Sequence, residues 1–207
     1  MTYLATAIPQ DSSEADLKAV IPDYTAICVT VMQAIADRYD PAYPFVNTKL
    51  DLITGLDFPD SDPVRGKQAV YGWIQGRALE ALAGHARWLD GPDHSGLVGR
   101  LDAITRNVLD QLRRMRERNR GHLSFFMRPD GVPFRLDADG NPIPLESDTQ
   151  PYGFSDLFAS KGMLAAARRL GDGEADREAR EYIDEVEEAI WDNTFRTDQI
   201  SLDSKNP

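Results

Sequence analysis

A single cysteine, Cys28, stands among the 207 residues. One thiol excludes an intrachain disulfide framework and any zinc site built on cysteine pairs. It lies in the apolar run Ala26-Ile27-Cys28-Val29, with no neighbour that would lower its pKa, which marks core filler rather than a nucleophile. Basic residues are also few: 23 Lys and Arg against 34 Asp and Glu give a net charge of −11. Nucleic acid and anionic membrane surfaces both demand basic patches, so neither is expected as a partner. The one dense basic run, Arg113-Arg114-Met115-Arg116-Glu117-Arg118, falls near the end of a predicted helix, where cations complement the helix dipole. The first residues lack the basic and apolar regions of a signal peptide, and no stretch reads as long enough to span a membrane. A soluble, cytoplasmic protein is therefore expected. There is no Gly-rich phosphate loop, no H-E-x-x-H and no G-x-S-x-G, and neither a metal nor a cofactor is expected. Histidine is limited to His85, His94 and His122, all read as structural or surface residues.

Hydrophobic residues make up 42% of the chain, enough for the core of one domain over residues 1–207. Residues 1–10 read as a loose lead-in. Asp11-Ser12-Ser13 can cap a short helical turn that Pro22 interrupts or restarts. Ile27, Val31, Met32, Ile35 and Ala36 then keep helical spacing until Asp40-Pro41. The connection from Ala42 to Arg65 is long, and Asp57, Asp60 and Asp62 in it read as solvated loop carboxylates. Leu97, Leu101, Ile104, Val108, Leu112 and Met115 mark a helix of about six turns. Asp130-Gly131 and Asp139-Gly140-Asn141 predict a β-hairpin between helices. Two further helices follow, Tyr152 to Leu170, ended by Gly171, and Asp176 to Trp191, with a highly acidic outer face.

The stretch from Gln68 to Leu89 predicts a helix with one anomaly. Val70, Trp73, Ile74, Ala78, Ala81, Leu82, Trp88 and Leu89 form an apolar stripe, and Arg77 lies on it. A guanidinium on a buried face must find acceptors or stay wet. Either its stem packs and its head reaches a carboxylate at the edge, or it lines a polar pocket.

Trp73-Ile74-Gln75-Gly76-Arg77 resembles the W-x-Q-G-R helix of the N-acylglucosamine 2-epimerase family. Phe126-Met127 through Asp130-Gly131-Val132-Pro133, followed by Phe154-Ser155-Asp156-Leu157-Phe158, is similar to that family's hairpin and F-S-E-x-F helix. The likeness covers roughly Val70 to Leu170. Tyr71 stands where the family often has a basic residue, Asp156 is one methylene shorter than the family's Glu, and a hairpin Tyr is replaced by Ser124 or Phe125.

The resemblance implies an (α/α) toroid, the N-terminal part of a six-hairpin barrel with an inserted β-hairpin. It implies a carbohydrate substrate held by Arg77, Trp73, Gln75, Phe125, Ser155 and Asp156. The chemistry implied is proton transfer beside a carbonyl, by a sugar 2-epimerase or an aldose–ketose isomerase, with Arg77 near the oxygen that becomes an enolate. The family's histidine bases would lie beyond Pro207, so the chain is expected to be a truncated form, inactive alone, with an apolar edge that a homodimer would cover. Two other readings stay open. An α/α-barrel glycoside hydrolase would need a carboxylate facing Asp156 across the pocket. A non-catalytic helical interaction module would show an apolar groove around Arg77 in place of a polar pocket.

Overall fold

The computed structural model describes residues 11–145 and 151–197, so the expected lead-in over residues 1–10 lies outside the described residues. Five α-helices, α1 (Glu14–Arg38), α2 (Gly72–Trp88), α3 (Ser95–Arg118), α4 (Phe154–Leu170) and α5 (Gly173–Trp191), carry most of it. Four short strands, β1 (Val70–Tyr71), β2 (Phe126–Met127), β3 (Pro133–Leu136) and β4 (Pro142–Pro144), form one antiparallel sheet in the order β1-β2-β3-β4. The expected hairpin is thus the middle of a larger sheet. Val70 and Tyr71, read as the start of a helix, instead pair with Met127 and Phe126. Helix α2 accordingly begins at Gly72 and not at Gln68.

Helix α2 lies against α4, with α3 packed on both, α1 flanking α2 and α3, and α5 flanking α4. The α2–α4 crossing is as close as two backbones can come. A Cβ on Gly162 would sit 2.0 Å from the Gly76 carbonyl oxygen, and one on Gly76 would sit 2.4 Å from that of Phe158. Real side chains do not tolerate such approaches, so glycine at both positions is what lets the helices touch. Around this crossing Leu79, Leu82, Leu101, Leu112, Met115 and Met163 are fully buried. Each contributes on the order of 1.5–3 kcal/mol by leaving water.

Helix α1 runs unbroken through Pro22 instead of stopping there. The missing N–H would have bonded the carbonyl of Lys18, and because Lys18, Ile21 and Pro22 are all exposed, no buried donor or acceptor need be left unpaired. At its start a capping box operates: Ser13 Oγ accepts from Asp16 N at 3.2 Å, and Asp16 Oδ2 accepts from Ser13 N at 2.9 Å. By length and composition α1 could cross a membrane, contrary to the expectation that no stretch is long enough; a helix packed on a protein core and a leader sequence have the same properties. The face turned away from the core carries Ala, Thr, Tyr and Val rather than charge, with Asp23 the one ionised residue from Ala19 to Ala36.

The basic end of α3 is matched by the acidic face of α5. Arg113 bonds Glu178 through Nε at 2.7 Å and Nη2 at 2.6 Å, and Arg116 pairs with Glu185 while its guanidinium stacks 3.9 Å over the Tyr182 ring. Asn119 Nδ2 donates to Gly131 O at 2.8 Å and ties the end of α3 to the β2–β3 turn. Trp88, expected on the buried stripe, is 56% exposed and donates from Nε1 to Thr25 Oγ1 at 3.1 Å.

Candidate functional site

Arg77 and Trp73 sit one turn apart on the side of α2 that faces away from the core. The Arg77 side chain is exposed and makes no hydrogen bond or ion pair among the described residues. Its guanidinium lies 5.3 Å from the Phe158 ring centroid, a cation–π contact supplied by α4. Trp73 touches two other rings: Phe125 is stacked on it at 6.4 Å with 16° between the planes, and Phe158 is tilted against it at 6.3 Å. Its indole N–H is buried and has no acceptor among the described residues. A buried donor without a partner costs about 1–3 kcal/mol, so this position is short of one oxygen.

Arg77 and Trp73 open onto a groove of about 390 Å³ between α1, α2 and the segment after α1. Met32, Ile35, Val46, Ile74, Ala81 and Leu82 form its floor, leaving Arg77 the one charged residue in it among those described. A second cavity, of about 610 Å³, lies over the sheet, where Phe126 and Phe134 stack at 5.2 Å beside Arg135 and Arg196. Phe125 belongs to both places, lining this cavity while covering Trp73.

The other expected site residues lie inside the scaffold. Gln75, two residues from Trp73 and so on the other side of α2, clamps the chain after α1: its Nε2 donates to Val46 O at 3.0 Å and its Oε1 accepts from Val46 N at 2.9 Å. Ser155 is fully buried against Gly72, whose added Cβ would lie 3.3 Å from that of Ser155. Asp156 is 3% exposed and joins three segments. Its Oδ1 accepts from Leu123 N at 2.9 Å and from the Tyr182 hydroxyl, and its Oδ2 accepts from Gly153 N at 2.9 Å at the start of α4. Burial, then the Asp156 charge, pushes the Tyr182 phenol well above its ordinary pKa, so the hydroxyl stays a donor.

His122 stands beside this cluster. Its Nδ1 is 3.7 Å from Asp156 Oδ1, beyond hydrogen-bonding distance, and its ring lies 4.4 Å from that of Tyr152. Its place at the hairpin entrance gave no sign of a carboxylate 34 residues later in the chain. Phe158 is the other residue the sequence reading passed over as a site residue, although it closes the motif beginning at Phe154. His85 bonds Ala81 O through Nδ1 at 2.6 Å. Burial raises the Cys28 thiol pKa, in keeping with core filler.

The loop carboxylates have local partners. Asp57 pairs with Arg38, and Asp62 accepts from Val64 N and Arg65 N at 3.0 and 2.7 Å. The backbone hydrogen bond from Arg65 is the largest influence holding the Asp62 carboxyl below its usual range. Among the described residues no group of three or more His, Cys, Asp or Glu could hold a metal ion. Comparison of the chain with protein-family models, with curated proteins and with solved structures gives no match.

Proposed function

We propose that the Trp73–Arg77 face of α2, with Phe125 and Phe158, is the carbohydrate-binding wall of an epimerase-like (α/α) toroid. The observation that carries this reading is the pair of unused donors one turn apart, the exposed Arg77 guanidinium and the buried Trp73 N–H, set among aromatic rings. A sugar offers what such a wall lacks: C–H faces to stack on the rings and oxygens to accept from the exposed Arg77 and, once the side chains covering it move aside, from the Trp73 N–H. In a reaction of the epimerase or isomerase type, Arg77 would stabilise negative charge on the carbonyl oxygen as the neighbouring carbon loses its proton. That proton needs a base. His85 lies two turns beyond Arg77, about 12 Å along the axis at ~1.5 Å per residue, and its Nδ1 is engaged by Ala81 O. His122 stands beside the Asp156 cluster, its Nδ1 buried without a hydrogen-bond partner among the described residues, and does not line the Arg77 groove. The described residues therefore provide binding without a placed imidazole base, and this chain alone is expected to bind sugar without turning it over. The hydrolase reading loses support because both Asp156 oxygens are taken by Leu123, Tyr182 and Gly153.

Calorimetric titration with aldohexoses, ketohexoses and N-acylated amino sugars tests this. Saturable binding to one class is expected, weakened about 10- to 100-fold in Arg77→Ala, as for loss of a hydrogen bond from a charged group at roughly 1.5–3 kcal/mol. Absence of binding up to about 10 mM, the range of −3 kcal/mol, would count against the sugar and for the second reading. That reading is a helical interaction module, and the apolar floor of the Arg77 groove favours it.

A further inference from the structure

The connection after α1 carries a feature that neither a sugar site nor the core requires. Leu52, Ile53 and Leu56 are 90%, 96% and 67% exposed on one tight turn, the most exposed aliphatic side chains among the described residues. The turn is built rather than loose. Leu50 and Asp57 bridge at its base, Gly55 N donates to Asp51 O at 2.7 Å, and Ile53 N donates to Asp51 Oδ1 at 2.8 Å. Gly55 sits at φ 71°, where other residues are strained. Arg38 pairs with Asp57 and anchors the base to the end of α1. A fixed turn that shows three aliphatic side chains to water is a protrusion in want of a hollow.

The hollow is on the same molecule. The Arg77 groove offers about 390 Å³ with an apolar floor. Leu52, Ile53 and Leu56 are compact aliphatic side chains of four carbons each, the kind of surface an apolar floor covers. The turn does not fill its own groove, since its side chains are exposed. Thr48 lines the groove and precedes Leu52 by four residues, so turn and groove lie within roughly 14 Å of each other along the chain. Adjacent self-complementary features permit a two-fold exchange in which each copy gives its turn and receives the other's. The charges agree: among the described residues Arg77 is the groove's one charged residue and has no carboxylate partner, and the incoming turn carries Asp51 at its base, Asp57 being already paired with Arg38. The same acidic residue, on a chain of charge −11, opposes docking of the turn on an anionic membrane.

We infer that the Leu52–Leu56 turn seats in the Arg77 groove of a second copy of this chain, forming a symmetric dimer. The inference does not depend on sugar binding and is tested without sugar. Sedimentation equilibrium of the whole chain is expected to show a monomer–dimer equilibrium. Ile53→Asp and, from the other side of the contact, Ala81→Arg are each expected to weaken it at least 10-fold, while Leu17→Asp on the far stretch of α1 leaves it unchanged. Ile53→Asp changes a 96% exposed side chain, so it does not threaten the fold. A wild-type chain that stays monomeric at about 100 μM, weaker than roughly 10⁻⁴ M, would overturn the inference. So would a dimer indifferent to both groove and turn variants, or binding of wild-type chain to phosphatidylcholine vesicles that Ile53→Asp abolishes while the chain remains monomeric.

Discussion

Asp156 shows how a residue chosen for chemistry can serve architecture. Its carboxylate accepts from Leu123, Gly153 and Tyr182, which belong to the hairpin entrance, the start of α4 and the middle of α5. Asp156→Ala would strand three buried donors, at roughly 1–3 kcal/mol each. The expected outcome is a lowered urea midpoint, with the loss of stability at least as large as any single stranded donor would give. A variant with wild-type stability would show that the cluster does not hold these segments together. Gly162 makes the same point through absence of a side chain. Gly162→Ala places a methyl 2.0 Å from the Gly76 carbonyl oxygen and forces α2 and α4 apart. Overpacking of that kind costs about 1–3 kcal/mol, again read from the urea midpoint. Because Trp73 and Phe158 sit across this crossing, the variant is also expected to disturb their contact, seen as altered tryptophan emission.

Among the elements, α3 and α5 could be read from the sequence because their outer faces are charged and their apolar stripes stand out. Their mutual ion pairs could not, since Arg113 and Glu178 are 65 residues apart. Those pairs predict a pH dependence. The Arg113 guanidinium, bonded through two nitrogens, holds the Glu178 carboxyl below its ordinary 4.5. A carboxyl with a lowered folded pKa contributes stability that is present above its unfolded pKa and lost as pH falls through the folded one. Stability is therefore expected to decline below about pH 4.5, and Arg113→Ala should make that decline shallower in urea titrations at successive pH values. An unchanged slope would mean the pair carries no linkage.

Helices α1 and α2 were less legible. Pro22 looks like a breaker until the turn around it, Lys18, Ile21 and Pro22, is seen to lie on the exposed side of α1. Val70 fits the helical stripe of α2 as well as it fits a strand, and only the partner strand at Phe126 and Met127 decides between them. At the candidate site, spacing put Trp73 and Arg77 on one face of a helix. It could not show that Gln75 is spent on Val46, because that bond crosses 29 residues.

For the whole molecule, the proposed account joins an aromatic wall with two unused donors to an open apolar groove and a protruding turn. The five helices and the small sheet hold these in place; completion of an (α/α) ring belongs to the proposal. Sugar and second copy both draw on Arg77, so a saturating sugar is expected to shift the dimer toward monomer by linkage.

The central claim, that the Trp73–Arg77 face binds sugar, is tested most directly by the indole N–H resonances in a ¹⁵N-labelled chain. The three tryptophans provide their own controls. Trp88 donates to Thr25 and Trp191 to Glu187, whereas the Trp73 N–H is buried without an acceptor. On titration with the sugar class found by calorimetry, the Trp73 resonance alone is predicted to move downfield and saturate, and to need about 10- to 100-fold more sugar to do so in Arg77→Ala. A Trp73 resonance that does not move, or that moves at the same sugar concentrations without Arg77, would contradict the account.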